Sequence, residues 1–387
     1  MPNNAKLTLA AFLAYIVTSA MLAPAPLLLA PLTDVFAMPR AGVAPVLGAF
    51  NVGILGGAVV AVPILLRVRV RMVLLVAYLL VVAAIGAIAL TPVPALVRIA
   101  LLAAGVACGV GLPAAATLIT AVYEGDRRAS MLVVTDGAFS LAASLTVLLG
   151  GWLLAASLPW AALYGVAMAA AIALLILCVS ADFRSVAPPA QRSAVREWPV
   201  GIWWCALALA AYTFGQFTMI LWLPTYLETT LAVAQEASGL PVARYWMAMF
   251  GGQVIAALVV LRVGLQRLAL LAGLLTVAIA IPLAGAASLS AAVWLCIAWG
   301  LGTLGLLKLT LSLGTEQWQG APGPVVSTLL LAATLGTALS PQVSGWVVAA
   351  TSAASALWLA CASLVLALVA IVGALAASRR GDAAAVA

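Results

Sequence analysis

Two charged residues stand well inside apolar stretches, and they are the first candidates for chemistry. Asp136 lies between Met131–Val134 and Ala138–Phe139, and Lys308 lies between Gly305–Leu307 and Leu309. An ionised group in hydrocarbon is costly, so it faces a cavity or a partner. A carboxylate held there pairs with a cation or takes up a proton. Asp136 therefore reads as a proton-coupling or gating group, or as a hydrogen-bond anchor between helices. Lys308 would meet an anionic solute, pair with a carboxylate, or extend its ammonium to the headgroups. Asp136 is eight residues past Arg128, and Lys308 is eight residues before Glu316. At 1.5 Å per residue both lie about 12 Å from one membrane surface. Opposite charge at equal depth makes them a candidate gate pair.

The neutral polar candidates are Asn51, Gln216 and Gln253, whose amides suit solute hydroxyls or neighbouring helices. Tyr15, Tyr212 and Trp246 would wall a pocket. Trp222 and Tyr226 read as interfacial belt residues. Arg98 follows Pro92 and Pro94 near a segment end, where it snorkels or touches solute. The prolines Pro24, Pro26 and Pro224 would interrupt the first and seventh apolar segments. Interrupted helices at corresponding places in two halves point to a binding site.

The elements that must position these residues are membrane spans. The chain is 66% hydrophobic and 7% charged, against about 25% charged in a soluble globule. A spanning helix needs roughly 20 apolar residues. Twelve such stretches run near 7–33, 42–66, 71–91, 95–122, 129–156, 159–180, 199–228, 238–262, 266–286, 290–316, 324–350 and 354–377. The first is too long for a secretory signal core and reads as an uncleaved span. Lys6, then Arg67, Arg69 and Arg71, then Arg127 and Arg128, then Arg184, Arg192 and Arg196, then Arg262 and Arg267, then Arg379 and Arg380 fall in alternate gaps. Cations kept to one side mark that side, and with it both termini, as cytoplasmic. Glu124 shares the loop of Arg128.

The chain is an internal duplication. A shift of 195 residues carries Gly56, Gly57, Gly105, Gly125 and Gly150 onto Gly251, Gly252, Gly300, Gly320 and Gly345, and Arg67-Val68 onto Arg262-Val263. Six spans per half give two parallel repeats, an arrangement found in secondary transporters. The expected division is residues 1–180, a cytoplasmic linker over 181–198 carrying Pro188-Pro189, and residues 199–387. Gly53-x-x-x-Gly57 and Gly105-x-x-x-Gly109 have the spacing that lets helix backbones approach.

Twelve spans, a parallel repeat and a central loop resemble the major facilitator superfamily. Tyr123-Glu124-Gly125, Thr135-Asp136, Asn51-Val52-Gly53, Gly215-Gln216, Trp222-Leu223-Pro224-x-Tyr226 and Trp246-Met247 resemble its TsgA-type branch. The resemblance runs over essentially the whole chain. It implies a multi-pass protein of the bacterial inner membrane, with span seven lining the solute path. Two departures stand out. The loop Leu66–Arg71 lacks the family's Asp and Gly. Pro26 falls where related sugar–proton symporters carry an acid, and Asp34 is too near the outer end to replace it.

Several function classes are excluded or disfavoured. There is no histidine, hence no His ligand and no Ser-His-Asp triad, and no metal-binding or nucleotide-binding motif. The five cysteines lie singly inside apolar stretches and read as core residues. The cations follow topology, so nucleic acid is not an expected partner. The expectation is an all-α, twelve-span, monomeric secondary transporter of a small solute, without cofactor and driven by a proton gradient. A non-transporting membrane scaffold and a drug or toxicant efflux antiporter are the alternatives.

Overall fold

A computed structural model describes residues 2–123, 125–183, 198–317 and 323–386, and among them every regular element is helical. Apolar side chains cannot satisfy backbone groups in lipid, so each crossing segment closes its own hydrogen bonds as a helix. In chain order the helices are α1 (Asn3–Leu22), α2 (Ala25–Phe36), α3 (Arg40–Arg67), α4 (Val70–Leu90), α5 (Pro94–Val122), α6 (Gly125–Ala155) and α7 (Gly165–Ser180). A short 3-10 turn, Trp160–Tyr164, leads into α7. They continue as α8 (Val200–Leu231), α9 (Gln235–Ser238), α10 (Leu240–Val263), α11 (Leu265–Ala284), α12 (Leu289–Gly302), α13 (Leu306–Glu316), α14 (Gly323–Ala350) and α15 (Ala353–Val386). The fold has twelve spans. Helices α1 and α2 share the first span, α12 and α13 share the tenth, and α9 is a single turn outside the count.

Contacts group the chain into two compact units, residues 1–190 with 234–243, and residues 191–233 with 244–387. The short stretch 234–243 thus departs from the expected division. Its reason is steric fit. A side chain at Gly239 would meet Leu27 and Val147, and Gly151 lies against the Glu236 carbonyl.

In the first unit α3 and α5 meet through glycine. A Cβ on Gly53 would lie 2.9 Å from the Gly105 Cα, and one on Gly57 would lie 2.9 Å from the Gly109 Cα. Both separations are too short for any side chain, so these positions hold the two backbones together. In the second unit Gly252 packs the same way, since a Cβ there would lie 3.0 Å from the Gly300 carbonyl oxygen. The duplication also survives in hydrogen bonds. Ser19 Oγ donates to Phe139 O at 2.7 Å, and Thr213 Oγ1 donates to Ala333 O at 2.6 Å. Each links a span to another 120 residues on.

Two expectations are corrected. Trp222 and Tyr226 are not belt residues. Trp222 is fully buried and donates to Ser344 Oγ at 2.7 Å, while Tyr226 donates to Ala286 O at 3.0 Å. Nor does Pro224 break span seven, since α8 runs through it unbroken. One lost N–H is tolerated where a spanning helix has no alternative structure open to it. The first span does change helix at Ala23–Pro24, with Pro26 buried in the first turn of α2.

Candidate functional site

The second unit brings one polar cluster to mid-membrane. Helix α8 carries Tyr212 and Gln216 one turn apart, so both side chains share a face. They stand 12 and 16 residues into a 32-residue helix. Helix α10 carries Tyr245, Met249 and Gln253 at the same four-residue spacing. The two stripes meet. The Gln216 amide donates to the Tyr245 hydroxyl at 2.7 Å and lies 3.6 Å from the Met249 sulfur. The Tyr245 hydroxyl donates to that sulfur at 3.4 Å. Tyr212 lies beside Tyr245 and Thr303. A hydrogen bond of this kind contributes about 0.5–1.5 kcal/mol net.

Aromatic rings frame the cluster. The Tyr245 ring is centred 4.5 Å from that of Trp299, and Trp246 meets both Tyr245 and Phe217 at 5.4 and 6.2 Å. The Trp299 indole donates to Thr276 O at 3.1 Å, which fixes its plane. Gln216, Tyr245, Trp246 and Trp299 are all buried.

Span ten is interrupted beside this cluster. Helix α12 ends at Gly302 and α13 begins at Leu306. Between them Leu304 and Gly305 adopt left-handed φ angles of 46° and 66°. The Gly305 conformation costs little, but a leucine there costs roughly 1–2 kcal/mol. Thr303 stabilises the turn by donating to Gly300 O at 2.7 Å. Gln253 lies against the break, its Cγ 3.4 Å from where a Cβ on Gly305 would stand. Its carbonyl oxygen is buried and has no hydrogen-bond partner among the described residues. Such an orphaned acceptor costs about 1–3 kcal/mol.

The remaining sequence candidates are placed as follows. Asn51 is buried in α3 of the first unit with its carbonyl oxygen unpartnered among the described residues. Tyr15, half-buried on α1, is a neighbour of Tyr78, which the sequence reading passed over. Arg98 is exposed on α5 among the exposed side chains Leu96, Ile99 and Leu102. Lys308 is the third residue of α13, its backbone N–H bonded to Gly305 O at 2.8 Å. The side chains of Asp136 and Arg128, and the whole of Glu124, lie outside the described residues.

The loop arginines divide. Arg67 and Arg69 are exposed, whereas Arg71 donates to Cys178 O at 2.9 Å and Val179 O at 3.3 Å. Lys6 donates to Ser180 O at 2.9 Å, and Asn3 to Asp182 O at 2.8 Å. These groups satisfy carbonyls at the end of α7, where a helix carries partial negative charge. The work of Arg71 is thus within its own unit. Among the described residues no His, Cys, Asp or Glu cluster could hold a metal ion.

A twelve-span, all-helical architecture of two six-span repeats is the frame of a membrane transporter. The sequence matches the Major Facilitator Superfamily over residues 7–317, and the chain belongs to that family. It is a multi-pass membrane protein and not an enzyme. It is similar to Protein TsgA of Salmonella arizonae, at 28% identity over 92% of this chain and 91% of the relative. Protein TsgA of Salmonella schwarzengrund is 27% identical over the same shares. Among solved structures, the proton:xylose symporter XylE bound to 6-bromo-6-deoxy-D-glucose superimposes with TM-score 0.72 at 15% identity, covering 95% of this chain and 94% of its own. A bacterial homologue of the human lysosomal transporter Spinster, inward-facing and unoccupied, gives 0.71 at 14% identity, covering 97% and 96%. At those identities the likeness is one of fold.

Proposed function

We propose that this protein is a proton-coupled secondary active transporter that moves a small solute by alternating access of its two repeats. The observation that carries the reading is the buried cluster of Tyr212, Gln216, Tyr245 and Thr303 at mid-membrane. Polar side chains at that depth are costly to bury and line solute and ion pathways. Gln216 uses its N–H groups on Tyr245 and Met249, and its carbonyl oxygen remains to accept from solute. The proton:xylose symporter among the structural neighbours supports proton coupling and a small polar solute as the class to test first.

Asp136 is the proton carrier in this proposal. Of the ten acids in the chain, the other nine lie in or near segment ends and loops. Its match in depth to Lys308 supports a gate pair that protonation would weaken. One partner left alone in low dielectric would cost more than the pair gains. The arginine-bearing side is the cytoplasm, both termini lie there, the membrane is the bacterial inner membrane, and the protein acts as a monomer.

The test is uptake by purified protein in proteoliposomes, across neutral, anionic and cationic solutes, with and without an imposed inward proton gradient. Accumulation above equilibrium only with the gradient is expected. Equilibration at one rate in both conditions would reject proton coupling, and no uptake of any solute would reject the transporter reading.

A further inference from the structure

Resting on that transport reading, we infer that the two units flex at different places. Spans seven and eleven move as one body. In the first unit α2, the outer half of span one, pivots at Ala23–Pro24 against span five, and the Thr146 hydroxyl gains a partner when it does. The first observation is a seam in the second unit. Thr213 Oγ1 donates to Ala333 O at 2.6 Å, Thr218 Oγ1 and Ser340 Oγ share a hydrogen bond of 2.9 Å, and the Trp222 indole donates to Ser344 Oγ at 2.7 Å. Ser344 Oγ in turn donates to Ser340 O at 2.5 Å. All of these side chains but Ala333 are buried polar or aromatic groups at under 3% exposure. A Cβ on Gly336 would run into the Ala210 carbonyl, so the two backbones touch as well. Hydrogen bonds between spans fix their register, which non-directional apolar packing does not.

The first unit keeps one bolt of that seam and loses the others. Ser19 to Phe139 matches Thr213 to Ala333, with both ends offset by 194 residues. At the same offset Thr218 corresponds to Pro24, Trp222 to Leu28, Ser340 to Thr146, Ser344 to Gly150 and Gly336 to Ala142. Pro24, Leu28 and Gly150 have no side-chain group that can hydrogen-bond. Apolar packing replaces them, and a Cβ on Gly150 would lie 3.0 Å from Leu27 Cδ1. The bolts are lost at the level where the first span changes helix.

The remaining half of the lost bolt is Thr146. Its hydroxyl is buried and has no hydrogen-bond partner among the described residues. Packing alone does not call for a threonine, because a valine would fill the same volume without an orphaned group. At the corresponding level of span one stand acceptors short of donors. Pro24 and Pro26 have no N–H, so the carbonyls of Ala20 and Leu22 have no amide four residues on to accept from. A pivot that turns these carbonyls toward span five lets the Thr146 hydroxyl donate. Hinges take up such a change in a few residues at element ends. Ala23 and Pro24 are the two residues between α1 and α2.

The experiment places pairs of spin labels within each unit of the purified full chain in liposomes and reads their distance distributions. Val35→Cys with Trp152→Cys reports α2 against span five, and Thr230→Cys with Trp346→Cys reports span seven against span eleven. All four positions are exposed, and the five native cysteines are buried. The first pair should give two distances and the second pair one. A single distance for the first pair, or two for the second, overturns the inference. Two variants then read uptake. Thr218→Cys with Ser340→Cys puts thiols where the oxygens stand 2.9 Å apart, and closing that disulfide should leave uptake within about twofold of the reduced protein. Loss of uptake on oxidation overturns the single body. Thr146→Val should slow uptake about threefold, the worth of one hydrogen bond between spans, while the melting temperature of the resting protein stays unchanged or rises. Unchanged uptake or a lowered melting temperature overturns the role of Thr146. The distance measurement needs no solute, so failure to take up any solute rejects the transport reading as a separate outcome.

Discussion

Replacing Gln216 with leucine removes one donor from a closed network, and the structure sets the size of the effect. The lost bond is the 2.7 Å contact to the Tyr245 hydroxyl. Buried hydrogen bonds between membrane helices average about 0.6 kcal/mol, and those in soluble cores about 1 kcal/mol. Tyr245 keeps its contacts to Met249 and Tyr212, so its hydroxyl is not orphaned and the loss stays near the lower figure. The expected cost of Gln216→Leu in stability is therefore about 0.5–1 kcal/mol. Tyr245→Phe should cost more, because it deletes the same bond and also the hydroxyl's contact to the Met249 sulfur. The two differ in solute affinity. Gln216→Leu also removes the carbonyl oxygen assigned to the solute, so apparent affinity should fall about tenfold, the equivalent of 1.4 kcal/mol. Tyr245→Phe leaves that oxygen in place and should lose twofold to threefold at about 0.4–0.7 kcal/mol. Stability is followed by denaturation in detergent and affinity by binding of the transported solute. In the double mutant the stability losses should be less than additive, since one bond is counted twice. Additive losses would show that the contact does not couple them. Equal affinity losses in both single mutants would refute the assignment of the Gln216 oxygen to solute.

Two other predictions follow from packing. Gly105→Ala should lower the melting temperature sharply, because its Cβ would lie 2.9 Å from the Gly53 Cα, with overpacking costs of about 1–3 kcal/mol. Gly86→Ala, with open space around the added methyl, should be neutral or stabilising by the same measurement. Arg71→Ala should destabilise by about 0.3–1 kcal/mol through the uncapped end of α7, while Arg67→Ala, at an exposed site, should leave thermal stability unchanged.

The features legible in the sequence are those the bilayer enforces. Span number, the duplication and the glycine contacts of Gly53, Gly57, Gly105 and Gly109 follow from length, hydropathy and the need for close backbones. The break at Thr303–Gly305 does not. Residues 290–316 form one apolar stretch, and Gly302 and Gly305 have the same composition signature as packing glycines. Its distinguishing signal is conformational, a left-handed Leu304. Tyr245 and Trp299 were missed because burial of a spanning aromatic depends on which way the helix faces, and the apolar helix that carries Trp299 has no polar stripe to show it. The Tyr245, Met249 and Gln253 spacing is the one trace that pointed there. Trp222 and Tyr226 misled for the same reason, since aromatic residues near a span end satisfy the belt pattern and the buried pattern alike. Gln216 was legible because an amide at mid-span has few roles.

The central claim is proton-coupled transport through Asp136, and proton flux tests it directly. Proteoliposomes holding a pH dye are given the transported solute with no imposed gradient. Wild-type protein should move protons with the solute, and Asp136→Asn should carry the solute to equilibrium with no pH change. Proton movement that persists in Asp136→Asn at the wild-type ratio to solute would contradict the account.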